Sequence, residues 1–329
     1  MERAEPDPRI GSVVDARYRI LERIAAGSMG VVYRAERVPV GRAVAIKFLH
    51  AAFAKDPEFV ARFERETRVM SKLTHPHCVS VLDFGVAGGA PYLVMDFVAG
   101  TTLWEILDRG TVIEVPRALT LLRQALAGLA HAHEQGIVHR DIKPANLMIT
   151  EEIGTGPHVR ILDFGLARLR GALGAHATQS NVVVGTPSYM APEQTVGNTV
   201  DARADLYAAG VVLFEMVTGD KPFRAEDTLA LFGLHRGAPV PRLATVAPPL
   251  IDIPEGLQEL VDRALAKDPA DRFQTAIEFA TAIDEIAGRL PGPPASTGRA
   301  GSPPPRPGSD PPRRDAPASG SSWRRRSTG

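Results

Sequence analysis

The segment IVHRDIKPANLMI, residues 137–149, places ionisable and amide side chains in an otherwise apolar stretch. Burying such groups without partners costs about 2–7 kcal/mol for a neutral group and more for a charge, so a function must retain them. Asp141 can accept a proton, Lys143 can neutralise developing negative charge, and Asn146 can offer an oxygen to a hard cation. Because Pro144 disfavours a regular helix or a central strand, we predict a catalytic loop between apolar flanks.

A second acidic side chain follows apolar residues in the segment ILDFGLA (161–167). Asp163 stands in this segment, seventeen residues after Asn146. A carboxylate and an amide oxygen form a sparse ligand set, which suits Mg²⁺ because this ion keeps several waters and takes other ligands from phosphates. The pair therefore predicts a magnesium site; the alternative is that Asp163 only caps a turn.

Small residues also fill much of IAAGSMGVVYRA (24–35), between two β-like runs. Such a hairpin lets backbone N–H groups approach phosphate oxygens, although a glycine-bearing hairpin is often only a tight turn. Lys47 ends the apolar run VAIK, where an ammonium needs an anionic partner or ligand. Glu66, on the interior side of a predicted helix, is the natural partner. The alternative for Lys47 is a strand-end lysine whose ammonium extends to solvent.

The spacing of apolar residues changes once along the chain. From Tyr18 to about Phe97, short β-rich runs alternate with turn residues and are interrupted by one helical pattern at 57–73. Beyond Gly100 the pattern is mostly helical, with the clearest predictions at 116–135, 205–218, 256–267 and 275–288. We therefore predict a bilobal α+β fold, with a small antiparallel β-rich lobe, a larger mostly α-helical lobe and a cleft between them.

These patterns divide the chain into four predicted parts. They are an N-terminal extension (1–17), an N-lobe (18–98), a C-lobe (99–288) and a Pro/Ser/Gly/Arg-rich tail (289–329). From residue 291 the tail holds ten Pro, six Gly and seven Ser, with seven Arg against two Asp. With so little apolar surface to offset the entropy of ordering, the tail is predicted to be disordered.

Composition limits the classes of protein and partner. Lys plus Arg and Asp plus Glu both number 38, so no excess charge indicates nucleic acid or membrane lipid as a partner. One cysteine, Cys78, excludes an internal disulfide and fits a reducing, cytoplasmic compartment. The N-terminus MERAEPDPRI has no apolar core of a signal peptide, and no membrane span is expected in the chain.

The order of the motifs resembles that of the protein kinase superfamily. A glycine loop, VAIK, HRDIKPAN, DFG and APE (191–193) follow one another within residues 18–285. GIVHRDIKPAN, GTPSYMAPEQ and KDPADRF (267–273) are most similar to bacterial, eukaryotic-like (Hanks-type) serine/threonine kinases. The glycine loop also resembles a dinucleotide-binding fingerprint, but no parallel βαβ pattern follows it.

This resemblance implies transfer of the γ-phosphate of ATP to Ser/Thr hydroxyls of proteins. Asp141 would be the catalytic base, and Lys143 would steady the γ-phosphate. Lys47 would hold the α- and β-phosphates and pair with Glu66. Thr186 would hydrogen-bond to the base and the lysine, as in the Ser/Thr class.

The implied cofactors are ATP and Mg²⁺, with Mn²⁺ as a substitute. Asn146 and Asp163 would bind the metal. Ala25 stands where the family has the first loop glycine, so we expect a modest effect on nucleotide affinity rather than its loss. The residues that would contact ATP are Ala25, Gly27, Ser28, Gly30, Val32, Ala45, Lys47, Met95, Asp96, Val98 and Met148.

The resemblance also implies structural contacts and partners. Glu193 and Arg272 would form an ion pair in the helical lobe, and Asp205 would support the backbone of the catalytic loop. Protein substrates and ATP are the expected partners, together with a homodimer through the outer face of the N-lobe; no nucleic acid is expected. The location would be cytoplasmic, or membrane-tethered if the native chain continues past Gly329 into a membrane helix.

Regulation is expected in the segment GAHATQSNVVVGT (174–186). Arg140 has no obvious constitutive partner in the sequence, and a phosphate on this segment would supply one. We expect autophosphorylation at Thr178 and Ser180, which align with phosphosites of bacterial relatives. The alternative is that both are ordinary solvated hydroxyls.

Two other functions compete with a protein kinase. A pseudokinase would bind nucleotide and act as a scaffold without turnover, but it would not need the complete set of catalytic residue types. A small-molecule phosphotransferase of kinase-like fold is disfavoured by GTPSYMAPE (185–193), a segment typical of a peptide platform.

Overall fold

The computed structural model describes residues 7–290, apart from positions 28, 153, 155 and 165–186. In this part of the chain the N-terminal lobe is built on an antiparallel sheet. Its strands are β1 (Val13–Val14), β2 (Tyr18–Gly27), β3 (Gly30–Arg37), β4 (Arg42–Leu49), β5 (Val81–Ala87) and β6 (Ala90–Asp96). They lie in the order β1-β2-β3-β4-β6-β5, so neighbours in sequence are mostly neighbours in space.

The inner face of this sheet packs against one helix, α1 (Pro57–Met70). Asp56 caps the helix by accepting a hydrogen bond from the Glu58 backbone N–H at 2.9 Å, and Pro57 occupies the first turn, where its missing N–H costs nothing. Phe59 and Phe63 point from the helix into the core, each 1% exposed. This spacing of four residues places them on one helix face, as the pattern at 57–73 predicts.

The outer face of the sheet is covered by residues 7–17 of the same chain. The Tyr33 hydroxyl donates to Asp7 Oδ2 at 2.8 Å, and the Arg9 guanidinium lies 4.6 Å from the centre of the Phe48 ring. As a result the outer cluster is buried, with Tyr33 only 1% exposed. The surface that the resemblance implies for a homodimer thus carries the chain's own N-terminal segment.

The C-terminal lobe is mostly helical. Its helices in the described residues are α2 (Leu103–Asp108), α3 (Val115–Glu134), α4 (Pro192–Thr195), α5 (Arg203–Thr218), α6 (Thr228–Gly237), α7 (Leu243–Val246), α8 (Leu257–Ala264) and α9 (Ala276–Ala287). A small antiparallel sheet of β7 (Thr101–Thr102), β8 (Leu147–Glu152) and β9 (Gly156–Ile161) lies beside α3.

Helix α5 forms the centre of this lobe and is buried along nearly all of its length. Gly210 allows its close approach to α8, because a Cβ there would lie 2.7 Å from the Ala264 Cβ. Gly219 ends the helix in a left-handed conformation (φ 76°), and its N–H donates to the Glu215 carbonyl at 2.8 Å. A helix apolar on all sides is typical of a buried position, which is where α5 lies.

The predicted bilobal α+β fold is therefore confirmed. The four helices predicted beyond Gly100 correspond to α3, α5, α8 and α9, with ends that differ by at most three residues. Strands β1 and β7 were not predicted, because two residues are too few to show an alternating pattern.

Cys78 lies in the core of the protein. Cys78 is 3% exposed, its thiol contacts the Gly128 carbonyl at 3.5 Å, and burial raises its pKa to about 12, as expected for a core residue. Among the helices of the described ranges, none has the length and apolar character needed to cross a bilayer.

One buried histidine makes the stability of the helical lobe sensitive to pH. His235 is 0% exposed on α6, and its Nδ1 lies 2.8 Å from the Tyr207 hydroxyl. Burial, together with the nearby Lys267 ammonium, lowers the pKa of His235 from 6.5 to about 4.

The unfolded chain therefore takes up a proton at His235 near pH 6.5, whereas the folded chain does so only near pH 4. Protonation favours unfolding, so this residue should remove about 3 kcal/mol from the free energy of unfolding as the pH falls from 6.5 to 4. Urea denaturation across this range should give a steeper loss for the wild type than for His235→Gln. An equal loss of the free energy of unfolding in the two proteins over this pH range would contradict the prediction.

Candidate active site

The inner face of the N-terminal sheet carries four predicted site residues. Val32 lies directly opposite Lys47 on β3 and β4, and Ala45 lies opposite Met95 on β4 and β6. Opposed residues of an antiparallel pair point to the same face, as do residues two apart on one strand. The four side chains therefore share the face that joins the core of the helical lobe.

The glycine loop is the turn between β2 and β3. Gly27 pairs with Gly30, and a Cβ at Gly30 would lie 1.8 Å from the Phe48 carbonyl oxygen, so only glycine fits there. Ala25 lies within β2 and has a negative φ, which is compatible with alanine in place of a glycine. Ser28, also predicted to contact ATP, lies outside the described residues.

Lys47 forms an ion pair across the two lobes. Its Nζ lies 2.5 Å from Asp163 Oδ2, and the lysine side chain is only 7% exposed. Asp163 has a left-handed backbone (φ 58°), an uncommon conformation for a non-glycine residue that recurs at active sites as well as in turns. Glu66 lies half-buried on α1, and its predicted pairing with Lys47 stays a prediction.

The loop 137–146 brings together two predicted catalytic residues and one predicted metal ligand. Lys143 Nζ donates to Asp141 Oδ2 at 2.8 Å. Asn146 Nδ2 donates to the Asp141 carbonyl oxygen at 2.7 Å, and this orientation leaves Asn146 Oδ1 as the atom able to ligate a cation. A 3₁₀ turn at Pro144–Asn146 follows, as expected from the proline. The segment is thus a loop that ends in β8, as predicted.

Asp205 fixes the backbone of this loop from the start of α5. Its carboxylate is 1% exposed and accepts hydrogen bonds from the backbone N–H groups of His139 (2.8 Å) and Arg140 (2.7 Å) and from His133 Nε2 (2.8 Å). Arg140 has a left-handed backbone (φ 66°) between these contacts. The structural role predicted for Asp205 is confirmed.

Arg140 has hydrogen-bond partners in the helical lobe, and its expected pairing with a phosphate on 174–186 stays a prediction, since that segment lies outside the described residues. Its guanidinium donates to the Val200 carbonyl at 3.5 Å, and its own carbonyl accepts from Gln194 Nε2 at 3.1 Å. Both partners follow the catalytic loop by more than fifty residues, so the sequence around Arg140 could not reveal them.

His139 links the catalytic loop to the segment that carries Asp163. Its Nδ1 accepts from the Asp141 backbone N–H (3.2 Å), so its Nε2 carries the proton that is donated to the Leu162 carbonyl (2.8 Å). The Phe164 ring meets the imidazole edge to face at 4.9 Å. Sequence analysis gave no role to His139, although it lies two residues before the predicted base.

The two predicted metal ligands lie at one edge of the small sheet. Asn146 directly precedes β8 and Asp163 follows β9, and these strands pair with Leu147 opposite Ile161. The Leu162 N–H also donates to the Asn146 carbonyl at 2.9 Å. An amide oxygen and a carboxylate held this close suit a hard cation that takes its other ligands from water and phosphate, so the residues fit Mg²⁺.

The predicted adenine contacts lie at the junction of the lobes. Met95 is 7% exposed at the end of β6, and the next residue, Asp96, donates its backbone N–H to the Ser80 carbonyl at 3.1 Å. Val98 is half-buried just beyond the strand, and Met148 is half-buried on β8 of the opposite lobe. Met95 and Val98 thus belong to the N-lobe side of this junction, and Met148 belongs to its C-lobe side.

Glu193 and Arg272 form the predicted ion pair in the helical lobe. Arg272 Nη1 and Nη2 donate to the two carboxylate oxygens at 2.9 and 2.8 Å, and the arginine side chain is 0% exposed. The remaining N–H groups donate to backbone carbonyls of Ala266, Lys267 and Arg203. All five guanidinium donors therefore have acceptors.

A second buried contact in this region was missed by sequence analysis. The Tyr189 hydroxyl donates to Glu215 Oε2 at 2.6 Å, and burial raises the pKa of the Glu215 carboxyl. Tyr189 belongs to GTPSYMAPE, and Glu215 is the acid inside the apolar run of α5. An acid in so apolar a helix was the one sign in the sequence that a buried partner exists.

Besides Ser28, three predicted residues lie outside the described part of the chain. They are Thr186, which is predicted to hydrogen-bond to the catalytic base, and the candidate phosphosites Thr178 and Ser180.

Comparisons with known proteins agree with this geometry. The protein kinase domain family matches residues 18–282. The chain is 39% identical over 277 residues to serine/threonine-protein kinase Pkn1 of Myxococcus xanthus, covering 84% of this chain and 39% of that protein. It is 40% identical over 296 residues to serine/threonine-protein kinase PknA of Mycobacterium tuberculosis, covering 88% of this chain and 66% of that protein. The chain thus spans less than two thirds of the length of either relative.

A solved structure shares the fold. The kinase domain of Mycobacterium tuberculosis PknI superposes with a TM-score of 0.64 at 31% identity, covering 84% of this chain and 98% of that domain. The family match extends over most of the chain and includes every motif on which the resemblance rests. The chain belongs to the protein kinase domain family.

Proposed function

We propose that this chain is an ATP- and Mg²⁺-dependent protein serine/threonine kinase of bacterial signalling type. The observation that carries the proposal is the constellation of Asp141, Lys143 and Asn146 on one loop, beside the Lys47–Asp163 ion pair. The family match and the named serine/threonine kinases among the relatives support it.

In this proposal Asp141 orients the substrate hydroxyl and accepts its proton. Lys143, 2.8 Å from the carboxylate, keeps that oxygen in place and offers its remaining N–H groups to the transferred phosphoryl group. Bound Mg²⁺ would neutralise charge on the phosphates. Because phosphoryl transfer depends mainly on positioning and charge stabilisation, a loop held by buried Asp205 is well suited to it.

Lys47 and Asp163 would exchange partners when nucleotide binds. At present the ammonium and the carboxylate neutralise each other at 2.5 Å. With MgATP, Lys47 would contact phosphate oxygens, with Glu66 as its predicted ion-pair partner, and Asp163 would ligate the metal together with Asn146.

Several finer assignments belong to the same proposal. They are the lobe boundaries at 18–98 and 99–288, a disordered tail, a cytoplasmic location, a homodimer through the N-lobe, and activation by autophosphorylation at Thr178 and Ser180. For the dimer, the surface offered by the N-lobe would include the outer side of residues 7–17.

The test is transfer of ³²P from γ-labelled ATP with Mg²⁺ to the chain itself and to a generic basic protein, followed by phosphoamino-acid analysis. We expect label on Ser and Thr. Parallel reactions with sugar and aminoglycoside acceptors separate a protein kinase from a small-molecule phosphotransferase. Binding of ATP without transfer to any acceptor would favour the pseudokinase instead.

A further inference from the structure

A basic cavity lies in the N-terminal lobe, apart from the site that holds the catalytic residues. Its volume is about 350 Å³, and its charged lining residues are Arg17, Arg37, Arg42 and Asp83. The lining itself holds three guanidinium groups against one carboxylate, and two carboxylates outside it, Asp15 and Asp96, pair with Arg17 at 3.7 Å and with Arg42 at 2.6 Å. Arg37 is therefore the arginine whose charge could attract an anion. The volume is at the lower end of the range of about 300–1,000 Å³ that holds small ligands.

The strand register concentrates positive charge in this cavity. Arg37, the last residue of β3, lies directly opposite Arg42, the first residue of β4, and Tyr18 lies opposite Arg37 on the other side. Directly opposed side chains lie on the same face with Cβ atoms about 5 Å apart, and like charges there destabilise the pair. An anion between the two guanidinium groups would reverse this repulsion.

The acids near the cavity accept hydrogen bonds from only a few of the guanidinium N–H groups. Asp83 Oδ2 is shared by Arg17 (2.6 Å) and the Tyr18 hydroxyl (2.8 Å). Arg42 gives one N–H to Asp96 at 2.6 Å, and its side chain remains 58% exposed. Arg37 forms no ion pair or side-chain hydrogen bond with the residues that the structure describes.

The donors that remain match a phosphate monoester better than a carboxylate. One guanidinium satisfies a carboxylate with two parallel hydrogen bonds, whereas two guanidinium groups at one cavity suit a dianion with three acceptor oxygens. Leu82, which is 41% exposed, adds apolar wall beside the arginines, which fits the carbon atoms of a phosphorylated side chain. A cavity of about 350 Å³ has room for a single phosphate group and does not form the extended basic surface that a nucleic acid or an anionic bilayer requires.

We propose that the basic cavity is a docking site for a phosphorylated Ser or Thr side chain in a protein segment, with Arg37 and Arg42 as its main ligands. Recognition of phosphate by clustered arginines is the chemistry involved. The proposal goes beyond the kinase activity and does not depend on it, because binding needs no turnover.

The test is fluorescence anisotropy with a synthetic labelled peptide of the sequence HATQSNV (176–182), phosphorylated at Thr178 or unmodified. We expect the phosphorylated peptide to bind more tightly than the unmodified one. The Arg37→Ala variant should weaken its binding about tenfold, since a hydrogen bond between charged groups is lost. Arg37 is exposed, so this variant should fold normally, which circular dichroism checks. Arg242→Ala, at an exposed arginine of the other lobe, should bind as the wild type does.

Three results would overturn the proposal. They are equal affinity of wild type and Arg37→Ala for the phosphorylated peptide, equal affinity of the wild type for both peptides, and Arg37-dependent binding to phosphatidylserine vesicles without binding to the peptide. The last result would make the cavity a lipid site. A chain inactive in the ³²P assay but still selective for the phosphorylated peptide would contradict the proposed activity and leave the docking site in place.

Discussion

Replacing Asp141 by Asn is expected to lower the rate of phosphoryl transfer by about 10²–10⁴-fold, which is the usual contribution of a positioned general base. Asparagine has the same shape and can still accept the hydrogen bond from Lys143 through Oδ1. It cannot take up the hydroxyl proton. The contact of Asn146 with the backbone carbonyl of residue 141 is unaffected, so the loop should keep its conformation.

Steady-state ³²P transfer at saturating MgATP, with nucleotide affinity measured separately by calorimetry, checks this expectation. Asp252→Asn is the matched control, because this aspartate is exposed and far along the chain from the loop. The variant at Asp141 should lose turnover while it retains ATP affinity, and the control should keep both. Turnover of the Asp141→Asn variant within about threefold of wild type would mean that another group accepts the proton.

The parts of the fold that the sequence predicts well are those governed by local pattern. Helix α1 follows from the apolar pattern at 57–73, in which Phe59 and Phe63 lie four residues apart. The strand β9 was not predicted, because its six residues include Gly156, Pro157 and His158 and show no clear alternation. It forms through pairing with β8 and packing against α3, which depend on residues distant in the chain.

The candidate site also has one part that the local sequence predicts and another that depends on the tertiary fold. The types and order of the residues on the catalytic loop predict their chemistry, and their short separation along the chain ensures that they meet. Which acid contacts Lys47 depends on the relative position of α1, the sheet and the segment after β9. The structure shows a contact of 2.5 Å between Lys47 and Asp163, and the pairing with Glu66 that the sequence suggests stays a prediction. Such a choice is decided by tertiary distances of a few ångströms.

The basic cavity illustrates a site that sequence pattern alone did not reveal. Arg17, Arg37 and Arg42 are separated by ordinary strand residues, and the whole chain is electrically neutral. They meet because β3 and β4 pair in a register that opposes Arg37 to Arg42, while the N-terminal extension supplies Arg17. Register is set by the hydrophobic pattern of the entire sheet, so the cluster becomes visible only with the fold.

The Arg272→Met variant is expected to lower the free energy of unfolding by about 3–5 kcal/mol, the usual cost of removing one partner of a buried ion pair. The carboxylate of Glu193, whose side chain is 8% exposed, would remain without its bidentate partner. Three backbone carbonyls would lose their donor as well. Methionine fills much of the same volume but restores none of these hydrogen bonds.

Urea denaturation followed by circular dichroism measures this loss. Arg123→Met is the matched control, because its ion pair with Asp284 at 2.5 Å is about half-exposed and should contribute less than about 1 kcal/mol. The double variant Arg272→Met/Glu193→Leu should recover part of the stability, since it leaves no buried charge without a partner. If Arg272→Met proves to be no less stable than Arg123→Met, water must reach the carboxylate of Glu193. The ion pair would then position the segment around Glu193 without contributing to the stability of the lobe.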